Sequence, residues 1–309
     1  MRIGINGSGL VATGASLTQL VEHAAAAERD GFASYWLGQM AVPDVLTVYA
    51  VAGAATSRIE LGTAVVPTWM RHPLMLAGQA LTTQEACGNR LTLGIGLAHR
   101  PLVEQAIKVP FRAPARHMAE YLAVLAPALA ERKVAVTGSI WSGEEDLSTA
   151  ARSAQAPPVL LAAMGPRMLS LAGALTDGTI LWLSGPRTIA DTIAPALRAA
   201  ASAAGRPAPR VVAGLPVCVT DRPDRVRATI DQALRHYARL PSYRSVLDAE
   251  GARGPGDVAV VGDAATVRTA LTDLAAAGAT DFAATEFGTT RDEFIATRTL
   301  LSEVAATAE

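Results

Sequence analysis

Two cysteines in 309 residues cannot build a disulfide framework. Cys87 and Cys218 fall in different predicted elements, one helix and one strand, and read as small buried apolar side chains. A reducing, cytoplasmic setting is the expectation. Charge of one sign is missing as well: 27 basic and 28 acidic residues leave a net −1, scattered along the chain. Neither nucleic acid nor an anionic membrane is indicated as a partner. No apolar run approaches the ~18 residues that cross a bilayer, because charges interrupt every alanine-rich stretch. Met1-Arg2-Ile3-Gly4-Ile5-Asn6 is too short for a signal peptide and reads as a strand.

What is present is alternation. Short apolar runs at Ile3–Ile5, Ser34–Leu37, Ile59–Val66, Arg90–Ile95, Pro158–Ala163, Gly178–Leu183, Arg210–Val219 and Asp281–Thr285 read as eight strands. Helical patterns separate them, among them Leu17–Glu28 stopped by Gly31, a helix capped by Asp44, Pro73–Ala86, Ala115–Glu131, Arg167–Leu175, Thr188–Ala204, Pro223–Leu240, Ala264–Ala277 and Arg291–Ala306. Eight strands alternating with helices predict an α/β fold, a (β/α)8 TIM barrel, in one domain spanning 1–309. A doubly wound open sheet is the competing reading. Turn-rich stretches near 134–156 and 241–258 are expected to be insertions over the C-terminal mouth.

In such barrels chemistry sits where strands end. These ends offer Asn6, Gln39, Val65, Val66, Trp69, the run Gly94-Ile95-Gly96-Leu97-Ala98-His99-Arg100, then Ala163-Met164-Gly165-Pro166, Trp182 and Glu286. They contain no His/Cys/Asp cluster with metal-ligand spacing, no Ser-His-Asp set and no paired acid and base. A mouth of glycine, apolar and aromatic groups suits a flat, largely apolar cofactor that brings its own chemistry. Gly94-Ile95-Gly96 lacks the third glycine and the immediate helix of a dinucleotide fingerprint, so a tight turn explains it equally well. Ala163-Met164-Gly165-Pro166-Arg167 is more specific. A strand running into glycine, with proline at a helix start, aims backbone N–H groups outward, as a phosphate site requires. His72 reads equally as a cap or packing residue and as a ligand, and Arg116 and Tyr121 read as solvated positions. Trp69 and Trp182 read as pocket walls or rim packing.

The linked motifs Leu61-Gly62-Thr63-Ala64-Val65-Val66-Pro67, Arg71-His72-Pro73, Gly88-Asn89-Arg90-Leu91-Thr92-Leu93-Gly94-Ile95-Gly96, Leu161-Ala162-Ala163-Met164-Gly165-Pro166-Arg167-Met168-Leu169 and Ala174-Leu175-Thr176-Asp177-Gly178 resemble the bacterial luciferase-like flavin and deazaflavin oxidoreductases. Leu240-Pro241-Ser242-Tyr243 and 251–262 are most similar to the actinobacterial branch that uses coenzyme F420. The resemblance implies a non-prolyl cis peptide at Ala64–Val65 behind the cofactor ring. It places the phosphate-bearing tail against Gly94–Arg100 and Ala163–Arg167, with the 134–156 insertion covering the ligand. The cofactor-binding set is then Gln39, Ala64, Val65, Val66, Gly94, Gly96, Leu97, His99, Arg100, Ala163, Met164, Gly165, Pro166 and Arg167. His99 is the catalytic candidate, Asn6, Trp69, Trp182 and Glu286 face the substrate pocket, and no metal is expected. Two departures stand out. Gly38-Gln39 replaces the Asp-His pair of some F420 dehydrogenases, and Leu97 replaces an acid often found after the GxG, which counts against sugar-phosphate dehydrogenation.

The resulting expectation is a reductase that passes hydride from reduced F420 to an activated C=C or C=N bond of a small organic molecule. An FMN-dependent monooxygenase and a catalytically silent flavin-binding barrel are the alternatives. A homodimer is expected.

Overall fold

Leucine-, isoleucine- and valine-rich runs form eight short parallel strands: β1 Arg2–Asn6, β2 Ser34–Leu37, β3 Glu60–Thr63, β4 Leu91–Gly96, β5 Val159–Leu161, β6 Gly178–Trp182, β7 Arg210–Val219 and β8 Asp281–Glu286. The computed structural model, which describes residues 1–149 and 151–307, pairs them in sequence order. β8 returns to β1 through Arg2↔Asp281 and Ile3↔Phe282, closing the ring. The fold is therefore a (β/α)8 barrel and not an open sheet.

Alternation along each strand sorts side chains into an outer set packed under the helices and an inner set that fills the ring. The inner set forms three layers. The lowest is ionic: Arg210 donates to Asp281 (2.7 Å) and Glu60 (3.0 Å), and Arg2 donates to Glu60 (2.6 Å). Trp36, Leu160, Ile180, Val212 and Ala283 make the middle layer. Trp36 is accommodated because Gly62 faces it, where a Cβ would lie 2.2 Å from the indole. The top layer, at the strand C-termini, holds small groups and is the mouth.

Proline opens one helix after another, at Pro73, Pro114, Pro166, Pro186, Pro223 and Pro241, where its missing N–H costs no hydrogen bond. Asp44 caps Val45–Ala55 by accepting from Thr47 N–H, and His72 caps Pro73–Ala86 by accepting from Leu74 N–H at 3.3 Å.

Four expectations need revision. The expected irregular stretch 241–258 contains the helices Pro241–Glu250 and Pro255–Val258. The helix expected to run from Pro223 to Leu240 stops at Leu234, followed by a 3-10 turn at Tyr237–Arg239. Val260–Gly262 is an additional strand paired to the far end of β7. Within the expected 134–156 insertion, Lys133–Val136 and Gly143–Asp146 form an antiparallel hairpin. Its body lies on the outer helices, with Gly143 against Val124 and Leu74, so only its tip reaches towards the rim. Ala150, in the same stretch, lies outside the described residues.

Candidate active site

β3 stops pairing after Thr63, the Ala64–Val65 peptide is cis, and pairing resumes at Val66–Pro67 against Ile95 and Gly96. The resemblance implied this bond. Ala64 N–H donates to Leu37 O (2.7 Å) and Gln39 N–H to Val65 O (3.3 Å), which fixes the bulge against the end of β2. The two glycines of Gly94-Ile95-Gly96 make room for it. A Cβ on Gly94 would lie 1.9 Å from the Thr63 carbonyl oxygen, and one on Gly96 would lie 2.7 Å from Val65 Cγ2. Both glycines are buried beneath the bulge, so they shape the mouth rather than stand at its rim.

The floor of the mouth is half-exposed and small: Gly38, Ala64, Val65 and Ala162, with Asn6 and Trp182 at its sides. Asn6 Oδ1 accepts from Ser8 N–H (3.0 Å) and Ser8 Oγ–H (2.6 Å), and its amide N–H groups have no hydrogen-bond partner among the described residues. The Gln39 side chain is committed to its own loop. Its Oε1 accepts from Val45 N–H (2.9 Å) and its amide donates to the carbonyls of Met40 and Pro43. Glu286 is placed otherwise than expected. Ala283 belongs to the inner layer, so Glu286 falls on the outward face, where Arg298 Nη1 donates to its carboxylate at 2.6 Å. Burial pushes the Glu286 carboxyl up. Thr285 takes the inward position instead.

After β4, Ala98 adopts φ +57°, a left-handed turn unusual for a residue with a side chain, and brings His99 over the mouth. His99 meets the rings of Tyr237 and Tyr243 edge-on, each with centroids 5.7 Å away. Tyr237 in turn packs towards Trp182 at 6.2 Å. The His99 ring nitrogens have no hydrogen-bond partner among the described residues, and burial together with His236 lowers the pKa of the ring. Leu97 turns partly into the core.

A second aromatic group, not foreseen from the sequence, lies behind Trp69. His117 is fully buried and stacks on Trp69, ring centroids 3.6 Å apart. Its Nδ1 accepts from Trp141 Nε1–H (3.1 Å), which leaves the proton on Nε2 to donate to Thr68 Oγ1 (2.8 Å). The Thr68 hydroxyl then donates to Gly96 O (3.3 Å). Burial holds His117 neutral, its pKa lowered to about 4. Through this chain the tip of the 133–146 hairpin is tied to the bed of the bulge. Tyr121, expected at a solvated position, is fully buried in the same group.

The rim between the β4 and β5 loops is basic. Arg112, Arg116 and Arg167 are exposed and make no ion pair among the described residues, while Arg100 pairs with Glu104 at 3.5 Å and lies over Phe111. Gly165 caps the helix Pro166–Leu175, and the space where its Cβ would stand is open. The first-turn N–H groups beyond Pro166 therefore face solvent beside Arg167. Ala163 is buried outward, and Met164 is half-buried. Among the described residues no group of three or more His, Cys, Asp or Glu side chains is arranged to hold a metal ion.

Three comparisons bear on this geometry. The family described as luciferase-like monooxygenase matches residues 3–281. An F420-dependent glucose-6-phosphate dehydrogenase from Nakamurella multipartita is 30% identical over 246 residues, 72% of this chain and 69% of that protein. Two solved structures share the fold: the coenzyme F420 dependent tetrahydromethanopterin reductase from Methanopyrus kandleri (TM-score 0.81, 21% identity, 99% of each chain) and the FMN complex of the oxygenating constituent of 3,6-diketocamphane monooxygenase from Pseudomonas putida (TM-score 0.79, 16% identity, 99% of this chain and 98% of that one).

Proposed function

The chain belongs to the luciferase-like monooxygenase family, and from that membership we propose that it is an F420-dependent oxidoreductase. Its reaction is the reduction of an activated C=C or C=N bond in a small, largely apolar organic substrate. The observation that carries the cofactor assignment is the rim. A helix N-terminus at Gly165 stands with three exposed arginines that make no ion pair among the described residues: Arg112 in the loop after β4, and Arg116 and Arg167 in the first turns of the helices Pro114–Ala130 and Pro166–Leu175. That arrangement offers a long anionic tail several contacts in succession, more than one terminal phosphate needs. The relatives named as F420-dependent support the same choice.

The mouth fits a flat ring. Gly38, Ala64 and Ala162 leave its floor shallow, Val65 backs it, and the unpartnered amide of Asn6 offers donors at its edge. When bound, reduced F420 supplies a hydride and has carbon where flavin has the nitrogen that leads to oxygen chemistry. Trp69 and Trp182 wall the space above the floor and exclude water from it. His99 presents an imidazole with unused nitrogens to the same space, suited to hydrogen-bonding the substrate's activating group or delivering the proton that completes the reduction. Sugar dehydrogenation, which the name of the Nakamurella relative states for that protein, is not carried over. It needs a base for the hydroxyl proton, and Gln39 is neutral and held by its own loop.

An FMN-dependent monooxygenase is the second reading, favoured by the FMN complex among the fold neighbours. The purified protein titrated with F420 and with FMN under fluorescence, then given each reduced cofactor in air, separates the two. Binding of F420 without oxygen consumption is expected. Tight FMN binding with oxygen uptake would overturn the proposal, and binding of neither would point to a silent barrel.

A further inference from the structure

One corner of the mouth is already filled by the protein's own charge. After β6 the chain turns through Leu183, at φ +58°, into Ser184-Gly185-Pro186 and a helical run: Pro186–Thr188, a π turn Ile189–Ile193, and Ala194–Ala203. Like the Gly165 turn, this is a glycine-capped helix start with proline at its first position, where first-turn N–H groups have no partner in their own helix. Here Glu250 supplies one. Its Oε1 accepts from Thr188 N–H at 2.6 Å, and a Cβ on Gly185 would lie 2.7 Å from the same carboxyl group. The corner has further donors that this carboxylate does not use. The hydroxyls of Ser184, fully buried, and Thr188, 5% exposed, have no hydrogen-bond partner among the described residues. Such groups are costly to leave unpaired, and an oxyanion with more acceptor oxygens would satisfy them.

We infer that Glu250 is a specificity residue: its carboxylate occupies the anion-binding corner formed by Ser184, Gly185 and Thr188 and turns phosphate-bearing ligands away from it. The physical reason is competition. A carboxylate held in place by the fold meets these N–H groups at an effective concentration of about millimolar or more. A free phosphate must displace it and also enter beside a like charge. Glu250 is moreover the last residue of the helix Pro241–Glu250, which carries Tyr243 against His99. Leaving the corner would disturb the aromatic side of the mouth. Among the described residues no carboxylate reaches the Gly165–Arg167 turn in this way, so a cofactor's phosphate is directed there; this last consequence rests on the F420 reading, whereas the exclusion itself does not.

The test uses inorganic phosphate and isothermal titration calorimetry on the full chain. All variants are made in an Arg167→Ala background, which removes the cation of the other turn. Glu250→Ala is expected to bind phosphate at least tenfold more tightly than the background protein, and adding Ser184→Ala should abolish that gain. Glu250→Gln keeps the side-chain shape and the hydrogen bond accepted from Thr188 while removing the charge. It should show a smaller gain in the same direction and guards against misfolding of the alanine variant. Equal phosphate affinity in the background, Glu250→Ala and Glu250→Gln proteins would overturn the inference, as would a gain that survives Ser184→Ala. Because no cofactor enters the assay, failure to bind F420 would refute the proposed function and leave this result standing.

Discussion

Replacing Gly94 by alanine tests whether the paired glycines support the bulge or contact a ligand. The added Cβ would lie 1.9 Å from the Thr63 carbonyl oxygen, a backbone atom that moves only if β3 moves. Overpacking a well-filled interior costs typically ~1–3 kcal/mol, and an obstacle that is backbone puts this substitution near about 3 kcal/mol. Unfolding entropy of about 2.1 cal/mol/K per residue, taken over the whole chain, converts that to a fall in Tm of about 5 °C. Gly96→Ala differs in kind, since its obstacle is Val65 Cγ2 at 2.7 Å. Its cost should shrink by half or more in a Val65→Ala background, while the cost of Gly94→Ala should not. Gly165→Ala is the control. Its backbone, φ −96° and ψ 158°, suits any residue, and its surroundings are open, so Tm should stay within about 1 °C. Differential scanning fluorimetry with chemical denaturation of the same proteins reads all of these. Gly94→Ala melting with the wild type, or rescued by Val65→Ala as fully as Gly96→Ala, would refute the assignment of these glycines to the bulge.

Acidification tests the neutral histidines. His117 and His23 both have pKa values lowered to about 4, mainly by burial and, for His23, also by Arg298. The unfolded chain, with histidines near 6.5, therefore binds more protons between those values, and stability rises with pH across the window. Between pH 6.5 and 5 the loss should approach about 1.4 kcal/mol per pH unit for each ring. His117→Gln should remove one ring's share, about 1.4 kcal/mol per pH unit, from the slope in urea titrations, and an unchanged slope would contradict a buried neutral ring. His99→Asn should lower turnover at least tenfold with F420 affinity within twofold, a split between kcat and binding that stopped-flow and fluorescence titration resolve. Reversing charge with Arg112→Glu and Arg116→Glu together should weaken F420 binding strongly at low salt and FMN binding little; equal loss for both would count against the tail following this rim.

The strand-helix alternation was legible because each strand is a short apolar run bounded by turn residues, and the mouth followed from chain direction. The helix Pro241–Glu250 carried ordinary signals, proline at its first position and Gly251 at φ +74° after its last. Its polar composition, PSYRSVLDAE, hid them. Glu286 could have been placed correctly, since strict alternation from Ala283 puts Thr285 inward and Glu286 outward. His117 had no such signal. It lies on a helix among apolar residues, and its partners Thr68 and Trp141 stand 49 and 24 positions away in sequence. Gly94 and Gly96 were visible as glycines, but which neighbour pressed on them was a property of β3, not of their own loop.

The charged bottom layer also decides how the molecule can be held. Arg2 belongs to it, and Arg2 and Ala305 line one cleft on that face. The first strand therefore starts, and the last helix finishes, on the side away from the mouth. A fusion partner, affinity handle or solid support joined next to Arg2 or to Ala306 would hang beneath the barrel and leave the entrance facing solution. Because Arg2 and Ala305 line one cleft, a short peptide bridge could join the first strand to the last helix there, and a chain opened at the 138–142 hairpin tip would keep the ring of strands intact.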